Sequence, residues 1–381
     1  MSTTKLQSTR AAWLLMLCWA AGCTSDEQTK LSAAQAADSA AHGAPEGTTR
    51  GYVLSSYLYA FYMTKGAREE CPHGFVHTNR ESWEVQFPTH ALRQAQLDRC
   101  GSLTNRGPNC ENVWATPDVI KDPLPFRSVE GKISFGVNLD GTPDGRATER
   151  TCAHEKFVSP EGEPGIDNQY YRFIGCERFV QGGQHHADQN SKVRVSQYHI
   201  NRVLLEISGV DDEQNDEHVN VTLYRGKDRL LVDASDNAVP WQSQTIDTTI
   251  PPVDLKGRIT AGELITEPAD VIWEGIAFER RMLIRGMSLR LKLNGLKAEG
   301  MRVGYVDVDQ LWQSYAHTAK WGGNIYGASA PAAYEAMHRL ADGYKDPETG
   351  ACTGLSSARK VEFVRAYVIR PASETHAEPQ S

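Results

Sequence analysis

The sequence predicts a mainly β protein, an antiparallel β-sandwich or jelly roll with a few short peripheral helices. Three observations lead there. Between about residues 129 and 309 apolar residues recur with a period of two: Val203, Leu205 and Ile207; Val219, Val221 and Leu223; Leu289, Leu291 and Leu293; Met301, Val303 and Tyr305. That alternation suits strands with one buried face and one wet face, as in antiparallel sheets. Asn294-Gly295 stands between two such runs, a pair that supplies the positive φ angles of a tight hairpin. Several short strands separated by turn residues favour packed antiparallel sheets over a parallel sheet with crossover helices.

The N-terminus is expected to be an address. Lys5 and Arg10 precede "AAWLLMLCWAAG" (Ala11 to Gly22), an apolar run of signal-peptide length that falls short of the roughly 20 residues a bilayer span needs. It runs into "AAGC" (Ala20 to Cys23), which resembles the bacterial lipobox, with Ala20 where the usual Leu stands. Residues 1–22 are therefore expected to be a lipoprotein signal peptide, and Cys23 the lipidated first residue of the mature chain. Thr24 is not the Asp that signals inner-membrane retention, so the expected location is the outer membrane of a Gram-negative bacterium. Thr24 to Arg50 holds one large apolar residue and no aromatic; it cannot bury enough surface to offset its ordering entropy. Residues 23–50 thus form the lipid anchor and a flexible tether, with an end-to-end distance on the order of 30 Å.

Residues 51–381 are expected to be a single elaborated β-sandwich domain, without internal repeat or second linker. "GYVLSSYLYAFYM" (Gly51 to Met63) predicts a buried strand, and "THALRQAQLDR" (Thr89 to Arg99) a short helix after Pro88. Pro331 marks a later helix start, Tyr334, Met337 and Ala341 are spaced for one face, and Gly343 is placed to end it. "VEFVRAYVI" (Val361 to Ile369) predicts a buried final strand.

Charge narrows the function classes. Lys5 and Arg10 are the only charges of residues 1–22, so their removal takes the formal net charge from −8 to −10. A chain that acidic, without clustered Lys and Arg, is not expected to bind nucleic acid. A monomer held at the membrane through its acyl chains is the expected form.

Beyond Cys18 and Cys23 the chain has Cys71, Cys100, Cys110, Cys152, Cys176 and Cys352. An exported chain with an even number predicts disulfides. Six thiols can pair in about 15 ways. A Cys152–Cys176 bond is expected, because the two flank a 23-residue loop ending in the strand-like "QYYRFIGC".

The stretch richest in chemistry is "VNLDGTPDGRAT" (Val137 to Thr148). With Asp140 at position one of a calcium loop, Thr142 and Asp144 fall at three and five. Gly145 then falls at the sharp-turn position six and Thr148 at nine. Thr151 replaces the bidentate Glu of position twelve, so a further ligand must come from elsewhere, and Asp167-Asn168 is the nearest suitable pair. Either Asp140, Thr142, Asp144, Thr148 and Asp167 hold calcium, or Asp-Gly and Asp-Gly make turns. Other polar clusters have the same two-sided character. Asp211, Asp212 and Asp216 hold a cation or solvate a turn, and His185, His186 and His154 are bases or loop histidines. Trp312, Tyr315, Trp321 and Tyr326 stack on sugars or fill the core. There is no G-x-S-x-G elbow, Walker loop, dinucleotide fingerprint or CxxCH.

"NLDGTPDGRATERTCAHEKFVSPEGEPGIDNQYYRFIGC" (Asn138 to Cys176), "LEISGVDDEQND" (Leu205 to Asp216) and "ADGYKDPETGACTGLSSA" (Ala341 to Ala358) together resemble an uncharacterised group of exported proteobacterial proteins. The resemblance implies an exported whole-chain unit and no activity. The expected function is that of an extracytoplasmic lipoprotein with a binding or structural role, stabilised by calcium in one reading, with a glycan or an envelope protein as ligand. The alternative is an extracytoplasmic hydrolase acting on an envelope or extracellular polymer through carboxylate and His residues. A cleft gathering Asp or Glu with His favours the hydrolase; exposed aromatics favour binding.

Overall fold

The first strand, β1 (Thr48–Tyr59), lies beside the last, β13 (Cys352–Ile369), and that pairing decides the architecture. The computed structural model describes residues 47–64, 68–181, 202–274, 280–319 and 328–371. From β1 the sheet continues through β4 (Val203–Val210), β5 (Asn215–Arg225), β7 (Val253–Thr260) and β8 (Glu263–Thr266). It then passes through β10 (Arg280–Leu293) and β11 (Lys297–Asp307) to β13 and so back to β1. Every one of these contacts is antiparallel. The mainly β, antiparallel expectation holds, but the sheet closes as an eight-stranded barrel, not as a sandwich or jelly roll. Closure removes the exposed edges that two packed sheets would leave. Short strands flank the barrel: β6 (Gln242–Thr245) and β12 (Gly343–Lys345) on β13, and β9 (Ala269–Glu274) on β10. β2 (Phe157–Val158) pairs with β3 (Pro164–Ile166) in a separate hairpin.

Three of the four alternating runs read from the sequence fill the barrel; the fourth, Met301, Val303 and Tyr305, faces outward, because Met301 lies opposite Arg290 and Val303 opposite Ser288, while the buried Arg302 between them lies opposite Leu289. Leu54 faces Phe363 across one strand pair, Leu205 faces Leu223 across another, and Val221 faces Leu255 across a third. All six are buried in one core. The β10–β11 turn forms at Asn294-Gly295, with Gly295 at φ 80° and Asn294 Oδ1 accepting from the Lys297 N–H at 2.7 Å. Two strands are buried on their outer face as well. Val303 of β11 and Ala358 of β13 pack with Ala60 and Val137 in a second cluster, so the segment following β1 lies over the outside of the barrel there.

The helices of the described residues are α1 (Asn79–Gln86), α2 (His90–Cys100), α3 (Gln169–Ile174), α4 (Arg178–Gln181), α5 (Val308–Ala319) and α6 (Ala330–Leu340), of which α3, α5 and α6 pack on β13. The expected second helix has local causes: the Thr89 hydroxyl accepts from Leu92 N–H at 3.2 Å and Gly101 ends it at φ 74°. α6 starts at Ala330, with Pro331 in its first turn as expected, but stops at Leu340, and Gly343 opens β12 instead.

Two expectations are corrected. "QYYRFIGC" is the helix α3, not a strand; Asn168 caps it, its side chain accepting from Tyr171 N–H at 3.3 Å. Every residue of α3 is buried, so the segment carries no amphipathic period to read. The disulfides are Cys71–Cys176, Cys100–Cys110 and Cys152–Cys352, so Cys152 and Cys176 are not partners. With α3 turning away from the strand-like path, Cys176 comes within 5.8 Å of Cys71 between Cα atoms, and Cys152 within 6.1 Å of Cys352.

Candidate functional site

Over the outer face of β11 and β13 the covering segment brings together Asp140, His154, Lys156 and Asp167, and the turn before β12 adds Asp342. Each is placed by backbone. Asp167 N–H donates to the Val137 carbonyl at 2.9 Å, tying the end of β3 to the Asp140 loop. His154 N–H donates to the Gly145 carbonyl at 2.9 Å, and Gly145 sits at φ 70° so close that a Cβ there would meet the His154 carbonyl oxygen at 1.9 Å. Cys152 N–H donates to the Asp342 carbonyl at 2.9 Å, and the Cys152–Cys352 disulfide holds the same strands together. Behind Asp167, the Asn168 amide donates to the Ala60 and Phe135 carbonyls and the Ser134 hydroxyl, each at 3.1 Å, fixing the turn on the barrel wall.

At the centre lies Lys156. Its Nζ donates to Asp140 Oδ1 at 2.7 Å and to Asp167 Oδ1 at 2.5 Å. Asp140 Oδ1 also accepts from the Thr142 N–H and hydroxyl at 2.8 and 2.9 Å. Burial pushes the Asp140 carboxyl up, but the hydrogen bonds from Lys156 and Thr142 outweigh it and hold the group below the usual carboxylate range. His154 Nδ1 faces the Cys152 carbonyl at 2.8 Å and its Nε2 faces Asp167 Oδ1 at 2.7 Å. With an acceptor facing each nitrogen, the ring is placed to donate from both, which favours the imidazolium. Accordingly, although burial pulls its pKa down, the Asp167 hydrogen bond and the Asp342 charge raise it overall.

Two carboxylates and two cations therefore balance, and Asp342 is the fifth, surplus group. Burial, with some help from Asp167, pushes its carboxyl up to about 7, against the pull of His154 and of the Ser356 N–H. Its Oδ2, 3.6 Å from His154 Nε2, has no hydrogen-bond partner among the described residues, and neither do Asp140 Oδ2 and the Tyr305 hydroxyl. Burial raises the Tyr305 pKa, and the carboxylates of Asp342, Asp167 and Asp140 raise it further.

The predicted calcium ligands divide. Asp140 and Asp167 converge, and with His154 they offer ligand atoms within 4.8 Å of one another. Thr142 is spent on Asp140. Asp144 turns outward, its side chain 60% exposed and 3.6 Å from Arg146, and the Thr148 hydroxyl bonds that of Thr151 at 2.7 Å. The cation shared by Asp140 and Asp167 is the Lys156 ammonium. Asp216 caps its own turn, accepting from the N–H groups of Asp211 and His218. Trp312 and Tyr315 are buried, Trp312 stacked on Trp114 at 5.7 Å. Cys23, His185, His186, Trp321 and Tyr326 lie outside the described residues.

Lys156, Asp342 and Tyr305 were not foreseen. One local signal existed for Lys156: in an extended "HEK", residues two apart point to the same side, so His154 and Lys156 travel together. Nothing local marks Asp342 or Tyr305.

Asp140 and Tyr305 also belong to the wall of a cleft of about 990 Å³ between the covering loops and the barrel. Arg258 and Arg290 stand in it on either side of Ile265, the three in one cross-strand row of β7, β8 and β10. Arg150, Tyr344 and Lys345 line the same cleft. Among the described residues no carboxylate forms an ion pair within 4.0 Å of Arg150, Arg258 or Arg290. Tyr344 sits at φ 54° with its ring edge-to-face on Tyr305, centroids 5.4 Å apart. A positive φ at an aromatic residue is strained, and such strain concentrates at ligand clamps and active sites.

The described residues thus form a closed antiparallel barrel with a lateral cleft, and no family model, curated protein or solved structure matches the chain.

Proposed function

We propose that the protein is an exported, lipid-anchored binding protein of the cell envelope whose cleft takes an anionic glycan. The observation that carries this reading is the convergence of Arg150, Arg258 and Arg290, none in an ion pair among the described residues, on one cleft of a chain with net charge −8, where with Lys345 they outnumber Asp140, Glu149 and Glu267. Guanidinium forks match carboxylate and phosphate oxygens two at a time, and against the acidic field of the rest of the surface they mark where an anion is welcome. Tyr344 and Ile265 in the same cleft supply apolar surface for the faces of sugar rings. The hydrolase reading has less support. Asp140, His154, Lys156 and Asp167 neutralise one another, and their side chains are at most 6% exposed, so they are built to hold the cleft wall in place rather than to meet a substrate. Export and anchoring rest on "AAGC" ending at Cys23.

Titration calorimetry with oligogalacturonate and with neutral malto-oligosaccharides of equal length tests the ligand. The acidic series should bind, more weakly as salt is raised. Arg258→Ala with Arg290→Ala should weaken binding by roughly 150-fold, two charge-assisted hydrogen bonds at about 1.5 kcal/mol each. Equal affinity for the neutral series, or an unchanged affinity in the double variant, refutes it. The anchor has its own test: Cys23→Ser should abolish palmitate incorporation and membrane fractionation.

A further inference from the structure

The described surface is sparing with exposed large apolar side chains, yet six of the eleven gather in one place: Leu231, Val239, Trp241, Leu296, Tyr367 and Ile369. Three segments meet there. Val239 N–H donates to the Leu231 carbonyl at 2.9 Å, Trp241 N–H donates to the Arg365 carbonyl at 2.7 Å, and Arg365 N–H donates to the Leu296 carbonyl at 2.8 Å. The rings of Trp241 and Tyr367 lie 5.8 Å apart, and both are about half exposed. Trp241 is held at φ 64°. A bulky residue in that region is an outlier that the surrounding structure must enforce, and here the effect is to keep an indole at the surface.

We propose that this patch seats on the lipid surface to which the chain is anchored, with Trp241 and Tyr367 at headgroup level and Leu231, Leu296 and Ile369 toward the acyl boundary. The inference rests on the reading of Cys23 as the anchor, and the course of the chain connects the two. β1 begins beside the patch: Gly51 packs so closely on β13 that a Cβ there would meet the Ala366 carbonyl oxygen at 2.7 Å and a Val368 methyl at 2.9 Å. The tether expected from the sequence leads from Cys23 to this same edge of the barrel, with a reach on the order of 30 Å. Trp and Tyr, with an apolar body and a polar tip, are the side chains that favour a lipid–water boundary. The charges nearby specify the headgroup. Arg50 is paired with Glu213 and Arg370 with Glu206, and Arg365, stacked on the Trp241 ring at 5.4 Å, is buried, while Asp233 and Asp236 lie in the loop between Leu231 and Val239. With no basic excess, the patch suits zwitterionic lipid rather than an anionic surface.

The mature chain carrying Cys23→Ser behind an N-terminal hexahistidine would be tethered through nickel-chelating lipid to phosphatidylcholine vesicles, with or without brominated phosphatidylcholine. The nickel tether replaces the acyl chains, so the outcome does not depend on whether Cys23 is acylated, which palmitate labelling reads separately. Bromine-dependent quenching of tryptophan emission is expected. In a Trp321→Phe background it should fall at least fivefold in Trp241→Phe, because the remaining tryptophans of the mature chain, Trp83, Trp114, Trp273 and Trp312, are buried. It should also fall in Tyr367→Ser with Leu231→Ser, which leaves the indole in place. Replacing half of the phosphatidylcholine by phosphatidylglycerol should not strengthen it. Absence of bromine quenching, or equal quenching in the variants, overturns the proposal. So does sedimentation showing a dimer that the Tyr367→Ser, Leu231→Ser variant splits, since the patch would then be covered by a second copy.

Discussion

Asp342→Asn probes the surplus carboxyl beneath the cleft. Asp342 has no exposed side-chain surface, and its Oδ1 accepts from the Ser356 N–H at 2.7 Å. In the folded protein its carboxyl titrates at about 7, chiefly through burial, against about 3.9 in an unfolded chain. The folded state thus holds this proton more tightly. The resulting stability is fully present below about pH 4, erodes as pH rises through the window from 4 to 7, and is gone above it. Between pH 5 and pH 9 an isolated group with these two values loses about 2–3 kcal/mol. Asparagine still accepts from Ser356 and carries no charge, so the variant should escape that loss. Urea unfolding with the disulfides intact, at pH 5, 7 and 9, should show the variant gaining on the parent by roughly this amount as pH rises. His154, whose pKa is also raised, weakens both proteins in the same direction and couples to Asp342, so the difference between them is the quantity to read. A difference that stays constant from pH 5 to pH 9 would refute the assignment of a buried, proton-bearing carboxyl.

The rest of the node gives further expectations. Lys156→Met leaves Asp140 and Asp167 buried without their shared cation and should cost about 3–5 kcal/mol, partly recovered by adding Asp140→Asn; a loss below about 1 kcal/mol would mean the ammonium is not their counter-ion. With Lys156 in that place, millimolar calcium and EDTA should give the same melting temperature in protein shown to be metal-free, and a rise of several degrees with calcium would return the loop to a metal site. Gly145→Ala, whose Cβ would run into the His154 carbonyl, should destabilise several-fold more than Gly141→Ala, where a Cβ meets nothing within 4 Å; equal melting shifts would contradict the packing of the loop. Removing Cys152–Cys352, which closes a separation of 200 residues, should cost up to about 5 kcal/mol in the chain-entropy model, against about 3 kcal/mol for Cys100–Cys110 with its separation of 10. Thermal melts of the paired Cys→Ser variants would check that order.

What the residues determined alone are features with causes a few positions away. Period-two alternation from Val203 to Leu223 and from Leu289 to Leu293 reports which side of a strand faces the barrel interior, while in Met301, Val303 and Tyr305 it marks the outer face that other segments cover. Asn294-Gly295 meets the φ demands of a turn within itself, and Thr89 and Gly101 bound a helix through their own backbone bonds. Asp140 and Asp167 were legible as partners because both needed a common counter-charge. Tertiary structure decided everything that depends on which distant segments meet. Alternation is the same in a sandwich and in a barrel; only the pairing of β1 with β13, Tyr52 opposite Arg365, closes the sheet. The buried α3 gave no period because all its faces are dry, and with its direction misread, Cys176 was assigned the wrong partner. What sequence spacing left out of the metal-loop reading is Lys156, which delivers its ammonium between the two carboxylates, and Asp342, brought to the same place from almost 200 residues further along. A carboxylate's spacing in a loop shows that it can bind a cation. Which cation it binds is set by what the fold carries there, since charges interact through space and not along the chain.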